Sequence, residues 1–343
     1  MSEIIKIDGS MGEGGGQILR SSLALSLLTG RPISIQRIRA KRQKPGLQPQ
    51  HRLCVQAAAA IGQARTRGVD LGSTRIDFEP GTISAGRFNF AVGTAGSCNL
   101  VLHTLYLPLA LQGSSSSQVV ITGGTHLTHS PTYEFMAGTW SKYLALANVH
   151  VQTRLRRAGF YPRGGGVLEG TLEPCPGIKG LNLENIERAS KVRIRSMVSG
   201  LPESVAIRQA DRARSLLEEM GLLVEVEQDI RRDGLGTAVT VTIETRPVPT
   251  VFTALGARGK PAETVAEEAV EQVRVYLARP AAVDRYSADQ LVLPLALARG
   301  PSCYAVEQVT QHLLTNIDVV RFFIDRSITC EGAEGEPGIV RIE

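Results

Sequence analysis

His312 is the most informative histidine in this sequence. It stands in TQHLLTN, just past an apolar β-branched run and at the loop that opens the next helical pattern. That is where α/β folds tend to set reacting groups, although a single loop histidine is more often structural. The stretch GEGGGQ, residues 12–17, is a second candidate. Successive glycines let a backbone approach a ligand and aim amide donors from a helix N-terminus, where anions are favoured. The plain alternative is a tight turn, because the stretch lacks both the GK[ST] ending of a P-loop and GxGxxG spacing. Glu13 could offer its carboxylate to magnesium, which takes one or two carboxylates with phosphate and water. It could equally be an acid answering a helix dipole. Arg20 falls in the first turn of the helix that follows, where a cation opposes the dipole by roughly 0.3–1 kcal/mol; a bound phosphate would remove that conflict. Tyr286, Asp289 and Gln290 gather ahead of an apolar helix. Ring, carboxylate and amide together suit a purine site, and a helix cap made by Ser287 or Asp289 is the structural reading. His126 and His129 form an HxxH pair with no third metal ligand in suitable spacing and read as turn residues. There is no GxSxG motif.

Charge narrows these options. The 343-residue chain carries a net +5, yet ten cations and no acid lie between Glu13 and Asp70, so the remainder is net acidic. A second basic group, Arg154, Arg156, Arg157 and Arg163, flanks another glycine-rich turn. A solvated face is the ordinary explanation of such runs; an anion site or a groove for a phosphate backbone is the functional one. With only 5% aromatic residues, a stacking platform for single strands is disfavoured, and a few contacts to terminal phosphates fit better.

The elements that must hold these residues come in a pattern seen three times. Each copy has a polar or glycine-rich turn, an apolar helix, a short β-branched strand, a second turn and a second helix. In the first copy, a helix over 18–29 is stopped by Gly30 and Pro32, then come a strand over 33–38, the turn KPGLQPQH and a helix through Leu53, Ala57 and Ile61. In the second, GTAGSCN leads into the apolar run from Leu100, a strand spans 119–122, and Ser130 as N-cap with Pro131 at the first helical position opens another helix. In the third, SADQ precedes LVLPLALA, a strand spans 303–309, and TQHLLTN opens a helix through Ile317 and Val320. Each copy reads as a small sheet with two helices on one face. Residues 184–280 differ in texture. They predict charged helices over 205–220 and 262–277 and polar strands near 222–228 and 238–244, as in an inserted domain. The expected division is a discontinuous main domain, 1–183 and 281–343, with an insert over 184–280.

With 43% hydrophobic residues the chain is neither disordered nor collagen-like. No apolar run reaches bilayer length, and no secretory signal is visible at the start. Five scattered cysteines without a CxxC pair argue against a disulfide scaffold or structural zinc. The expectation is a soluble α/β protein of the cytoplasm without membrane contact.

Six ordered stretches carry a resemblance to a known family: DGSMGEGGGQILRSSLALSLLTG, IRAKRQKPGLQPQH, GTAGSCNLVL, GFYPRGGG, YSADQLVLPLALA and QHLLTNIDVV. Together they resemble the RNA 3′-terminal phosphate cyclases, end to end in the main domain and more loosely in the insert. The resemblance implies an α/β main domain of three repeated units, related to enolpyruvyl transferases, with a thioredoxin-like insert. It implies attack by a histidine on the α-phosphorus of ATP, giving histidine–AMP and pyrophosphate. AMP then passes to an RNA 3′-phosphate, and the 2′-hydroxyl closes a 2′,3′-cyclic phosphate with release of AMP. His312 matches the nucleophile and Glu13 the ligand of Mg²⁺ or Mn²⁺. Arg20, Arg39, Arg42 and Gln50 match positions that hold the RNA terminal phosphate. Pro131 and Tyr286 fall where adenine is sandwiched, and Tyr286, Ser287, Ala288, Asp289 and Gln290 line the nucleotide site. His103 departs from the pattern, since bacterial members commonly have a nucleotide-contacting glutamine there; ATP is the expected nucleotide and GTP stays open. A homodimer is also left open. Two other classes stand beside this reading. One is a non-catalytic relative serving as an RNA-processing or ribosome-biogenesis scaffold; such relatives lose the nucleophile, whereas His312 is present. The other is an enolpyruvyl transferase, whose substrate pocket has no visible counterpart here.

Overall fold

The structure is a computed structural model, and it describes residues 3–187 and 190–343. The first sheet holds β1 (Ile5–Asp8), β2 (Ile33–Gln36), β3 (Arg65–Arg67) and β4 (Ile76–Glu79) in the order β1-β2-β4-β3, with helices α1 (Gly16–Thr29) and α2 (Pro49–Gly62). The second holds β5 (Arg87–Ala91), β6 (Ser117–Gly123), β7 (Val151–Arg157) and β8 (Gly166–Leu172) in the order β5-β6-β8-β7. Its helical part is α3 (Cys98–Gln112), then α4 (Tyr133–Phe135), a π-helical turn over Met136–Trp140, and α5 (Ser141–Leu146). The short β9 (Asn182–Leu183) follows.

Next come β10 (Lys191–Ser199), α6 (Glu203–Glu219), β11 (Leu223–Arg231), β12 (Gly236–Ile243), β13 (Thr250–Leu255) and α7 (Ala262–Ala278), with sheet order β11-β10-β12-β13. Last are α8 (Arg285–Ala296), β14 (Ser302–Val306), α9 (Gln311–Arg321), β15 (Ile328–Glu331) and β16 (Gly338–Ile342), whose sheet, ordered β15-β16-β14-β9, takes back β9. In the first, second and last sheets one pair is parallel (β1 with β2, β5 with β6, β9 with β14) and the other pairings are antiparallel.

The sequence explains why the helices between these sheets sit where they do. Ten of the fourteen residues of α1 are buried, from Gln17 through Leu27, and α3 is apolar around its whole circumference. A helix that is apolar all round belongs in the interior, and α1 packs against both α3 and α9. Where polar atoms enter that interior they are paired: Ser21 donates to Asn316 across the α1–α9 contact at 2.7 Å. The main apolar cluster draws on residues from Ile5 to Leu183, on Val248 and Val251, and on residues from Ala282 to Ile342. A second cluster is built from β10, β12, β13, α6 and α7.

Several local expectations change. The strand from Ile33 stops at Gln36, because Arg37 takes a positive φ of 53°. Ser130 does not cap a helix. Thr132 is the N-cap, its hydroxyl accepting from Phe135 N, and Ser130 instead donates to Ser97 at 2.5 Å. Strands β10 and β13 lie in the polar-looking stretch where sequence marks only two strands. All five cysteines are free.

The chain returns to the main cluster at Ala281 and Ala282, where two buried tyrosines hold consecutive carbonyls. Tyr276 donates to Ala281 at 2.8 Å and Tyr143 to Ala282 at 2.5 Å. Tyr143→Phe leaves the Ala282 carbonyl buried without its donor. The expected loss is about 1–2 kcal/mol, read as a lower denaturant midpoint at unchanged slope.

Candidate active site

The glycine-rich loop before α1 is shaped by its protein neighbours. Gly12 and Gly14 have φ of 49° and 58°, the left-handed region that glycine enters without penalty. A Cβ on Gly12 would collide with the Thr315 side chain on α9; one on Gly14 would meet Lys41, one on Gly15 Arg42, and one on Gly16 His51. The glycines thus bring basic and polar side chains of three other segments against one turn. Arg20 falls in the second turn of α1 and not the first, because the helix begins two residues earlier than expected, at Gly16.

His312 stands at the start of α9, next to the N-cap Thr310, whose hydroxyl accepts from Leu313 N at 3.1 Å. Its Nδ1 is 3.0 Å from Gln17 Oε1 and 3.4 Å from Glu13 Oε2. Gln17 Nε2 donates to the half-buried Asp289 carboxylate, which fixes the orientation of the amide. Its oxygen therefore faces His312, and an oxygen can only accept. Nδ1 must carry the proton, so the neutral ring keeps its lone pair on Nε2.

Charge around the ring is balanced by opposing effects. Burial pushes the Glu13 carboxyl up, but the hydrogen bond and charge of His312, with Arg42 and Arg20, outweigh it and hold Glu13 below the usual carboxylate range. Glu13 is 6% exposed, and Arg42 forms an ion pair with its Oε2. Its Oε1 is buried and has no hydrogen-bond partner among the described residues. The hydrogen bond to Glu13 raises His312, against the effect of its partial burial. Burial lifts Asp289 to about 6 despite His312 and Gln17.

A cavity of about 600 Å³ opens beside His312, within the usual range for ligand pockets. Arg20, Pro131, Asp289 and Gln290 line it. His103 forms part of the wall, 4.8 Å from Trp140 between ring centroids. Burial and then Arg20 push its imidazole down to about 3, so it is neutral, and its Nε2 has no partner among the described residues. Pro131 is held through its carbonyl by Asn99 Nδ2 at 2.7 Å. Tyr286 is half-exposed, its ring 6.3 Å from Phe252 and its hydroxyl donating to Gln272 at 3.3 Å. Ser287 and Ala288 are turned away into the core, at 2% and 0% exposure. The cap of α8 is neither Ser287 nor Asp289 but Asp284, which accepts from the amides of Tyr286 and Ser287 and from the Ser287 hydroxyl.

The remaining basic candidates sit on the other side of Glu13. Arg39 has φ of 55° and donates to the carbonyls of Lys44 and Gly46. Gln50 accepts from Ser97 N at 2.7 Å. Among the described residues Arg20 has no hydrogen-bond partner. Three residues near these groups were not singled out from sequence. Gln17 orients His312, and Asn316 ties α9 to the Asp289 carbonyl at 2.6 Å. His51 is pushed to about 3 by burial and then by Arg20, Arg39 and Arg42, so it fills space among the arginines without adding charge. The four-residue step from Glu13 to Gln17 is the signal that could have found Gln17. His126 is buried, with Nε2 2.8 Å from Glu134 and Nδ1 2.8 Å from Thr125 Oγ1, and His129 lines the cavity. Among the described residues no three His, Cys, Asp or Glu side chains are grouped to hold a metal.

Because the hydrogen bond to Glu13 raises His312, the imidazole stays protonated to a higher pH than a free histidine. Removing the carboxylate in Glu13→Gln leaves only Asp289 acting upward, against burial and Arg20. An NMR titration of His312 is expected to show a midpoint above the ordinary value in the parent protein and a clear fall in the variant. An unchanged midpoint would contradict the pairing.

No helix among the described residues is long and apolar enough to cross a membrane. The family profile described as RNA 3′-terminal phosphate cyclase matches residues 11–330. A Pyrobaculum neutrophilum protein of that name is 42% identical over 99% of this chain and 98% of its own length. One from Salmonella enteritidis is 40% identical over 97% of each, and one from Ralstonia nicotianae is 41% identical over 99% of this chain and 96% of its own. With the match covering nearly the whole chain, the protein belongs to the RNA 3′-terminal phosphate cyclase family.

Proposed function

We propose that this chain is an ATP-dependent RNA 3′-phosphate cyclase that works through a covalent histidine–AMP. The observation that carries the reading is the Asp289–Gln17–His312 line, which makes Nε2 the bare nitrogen once the ring is neutral, at the edge of a cavity that also holds an unpaired arginine. In the first step Nε2 attacks the α-phosphorus of ATP, a P–N bond forms, and pyrophosphate leaves. The proton on Nδ1 stays between Gln17 and Glu13 and shares the positive charge that develops on the ring. In the second step an oxygen of the RNA 3′-phosphate displaces the imidazole, giving RNA-(3′)pp(5′)A. In the third the 2′-hydroxyl attacks the phosphorus nearer the RNA, loses its proton, and AMP departs from the cyclic ester. Adenylation turns a poor oxyanion leaving group into AMP.

Arg20, Arg39 and Arg42 supply planar guanidiniums suited to paired phosphate contacts, and Gln50 an amide. Arg39, Arg42 and Gln50 would exchange their present protein partners for the terminal phosphate. His103, Pro131, Tyr286, Asp289 and Gln290 surround the nucleotide, while Ser287 and Ala288 act from the core by holding the first turn of α8. His103 offers an uncharged ring nitrogen to the base, which is compatible with ATP or GTP. Glu13, ionised and with an unused buried oxygen, fits Mg²⁺ or Mn²⁺ as the single protein carboxylate, completed by phosphate and water. The ion would supply charge neutralisation for the triphosphate. The same proposal reads the first, second and last sheets with their helices as copies of one unit, as in enolpyruvyl transferases. Residues 184–280 are then a thioredoxin-like insert in a main domain of 1–183 and 281–343.

The parent protein incubated with α-labelled ATP and Mg²⁺ should take up label, located on His312 by mass spectrometry, and His312→Ala should take up none. RNA ending in a 2′-deoxy, 3′-phosphate nucleotide should be adenylated and not cyclised. Label that survives His312→Ala overturns the mechanism.

A further inference from the structure

Residues 80–168 contain one acidic residue, Glu134, and it is buried against His126. The surface of this stretch is therefore positive, and one aromatic side chain stands out from it. The turn between β7 and β8 is closed by Gly164 N donating to Phe160 O at 2.7 Å. Phe160 is anchored: its ring stacks on His126 at 4.9 Å, and it packs with Met197 and Ala238. The next three residues, Tyr161, Pro162 and Arg163, point outward. Tyr161 is 79% exposed, more than any other large hydrophobic side chain among the described residues. Arg163 has no hydrogen-bond or ion-pair partner among them, and the bond found for Arg157 is to the backbone of Gly165.

This turn is joined to the candidate phosphate site through a single small loop, residues 94–97. On one side of the loop Gln50 accepts from Ser97 N at 2.7 Å, and a Cβ on Gly96 would lie 2.9 Å from Gln50 Cβ. On a second side Ser97 Oγ accepts from Ser130, which lines the cavity. On the third, a Cβ on Gly164 would lie 2.7 Å from Ala95 Cα and 2.9 Å from Thr94 O. The backbone lengths involved place the tip of the turn on the order of 15–20 Å from Gln50, a span of a few nucleotides. Of this loop Thr94 is exposed and Gly96 partly so, while Ala95 and Ser97 are buried, so the loop presents no acid and no bulky side chain between the two.

We infer that Tyr161, with Arg157 and Arg163, receives the single-stranded RNA that precedes the terminal nucleotide, one base lying on the Tyr161 ring and the arginines meeting the adjoining phosphates. Single-stranded bases stack on exposed aromatic and guanidinium planes, and cations follow the backbone. One exposed ring provides for one base, in keeping with the low aromatic content of the chain. The inference rests on the cyclase reading for the direction of the RNA, whose 3′ end lies by Gln50, while its test does not depend on catalysis.

The test is equilibrium binding of fluorescent 3′-phosphorylated RNAs, a dinucleotide and a decamer of the same 3′ sequence, to the full chain at fixed salt. The parent protein should bind the decamer at least about tenfold more tightly than the dinucleotide. Tyr161→Ala should lose most of that difference, with the loss confined to the decamer. Tyr161→Phe should keep it, and Arg163→Ala should lower the salt dependence of decamer binding by about one counterion. Equal affinity of the parent protein for both lengths overturns the inference. So does decamer affinity in Tyr161→Ala within twofold of the parent value, as a surface for a protein partner would give, or an equal loss for both RNAs, as a general disturbance of the site would give. Labelling of His312 by ATP, measured in parallel, separates the two readings. Tyr161-dependent RNA binding without label sinks the cyclase mechanism and keeps the path, and label without Tyr161-dependent binding does the reverse.

Discussion

A histidine can be a nucleophile only through a nitrogen that has no proton, and here one side-chain amide decides which nitrogen that is. Gln17 has its nitrogen committed to Asp289, so it offers His312 an acceptor and nothing else. The three residues come from the first turn of α1, from α8 and from the first turn of α9, far apart in sequence. Their alignment requires those helices to be packed to within a few tenths of an ångström. The buried serines of α1, the Ser21–Asn316 bond and the hold of Asn316 on the Asp289 carbonyl serve that requirement. The close approach of Gly12 to Thr315 sets the loop carrying Glu13 against the same helix. The interior of the main cluster therefore acts as a jig for one imidazole ring.

The second constraint is electrostatic. Arg20, Arg39 and Arg42 gather near Glu13, with Asp289 as a second carboxylate beside Arg20, and a buried histidine among them stays neutral. A low-dielectric site with more guanidinium than carboxylate is unsatisfied until an anion arrives. That asymmetry favours a phosphate-bearing ligand over a neutral one. It also explains why Glu13 remains ionised although little of it meets water.

How much of this is legible in sequence depends on the distance between the residues that make each feature. The helices and strands around the three motif-bearing segments are readable because their periodicity is local, as is the acid-free basic run. His312, Glu13 and Arg20 are readable as candidates because each sits at a recognisable turn. What cannot be read is the partner of each side chain. Asp284, not Ser287 or Asp289, caps α8, because competing oxygens within one turn look alike in sequence and only packing decides among them. Ser130 looks like a helix cap until Ser97, more than thirty residues away, is seen to take its hydroxyl. The glycines of residues 12–16 signal close approach correctly, but sequence does not say that Thr315, Lys41, Arg42 and His51 are what approaches. Strand β10 escapes because its inward Val192 and Ile194 alternate with arginines that meet acids on the neighbouring strands, so its composition resembles that of a solvated loop.

The two tyrosines at the chain's return belong to different apolar clusters, yet they grip neighbouring residues. Tyr143 reaches Ala282 from the main cluster and Tyr276 reaches Ala281 from the other. The strap between them runs directly into Asp284, the cap of α8, and so into the first two turns, which carry Tyr286 and Asp289. Loosening of the smaller cluster would release one carbonyl while the next stays fastened. The strap is thus placed as a firebreak: opening of the smaller cluster would still leave Ala282 fastened, two residues short of the helix that orients the nucleophile.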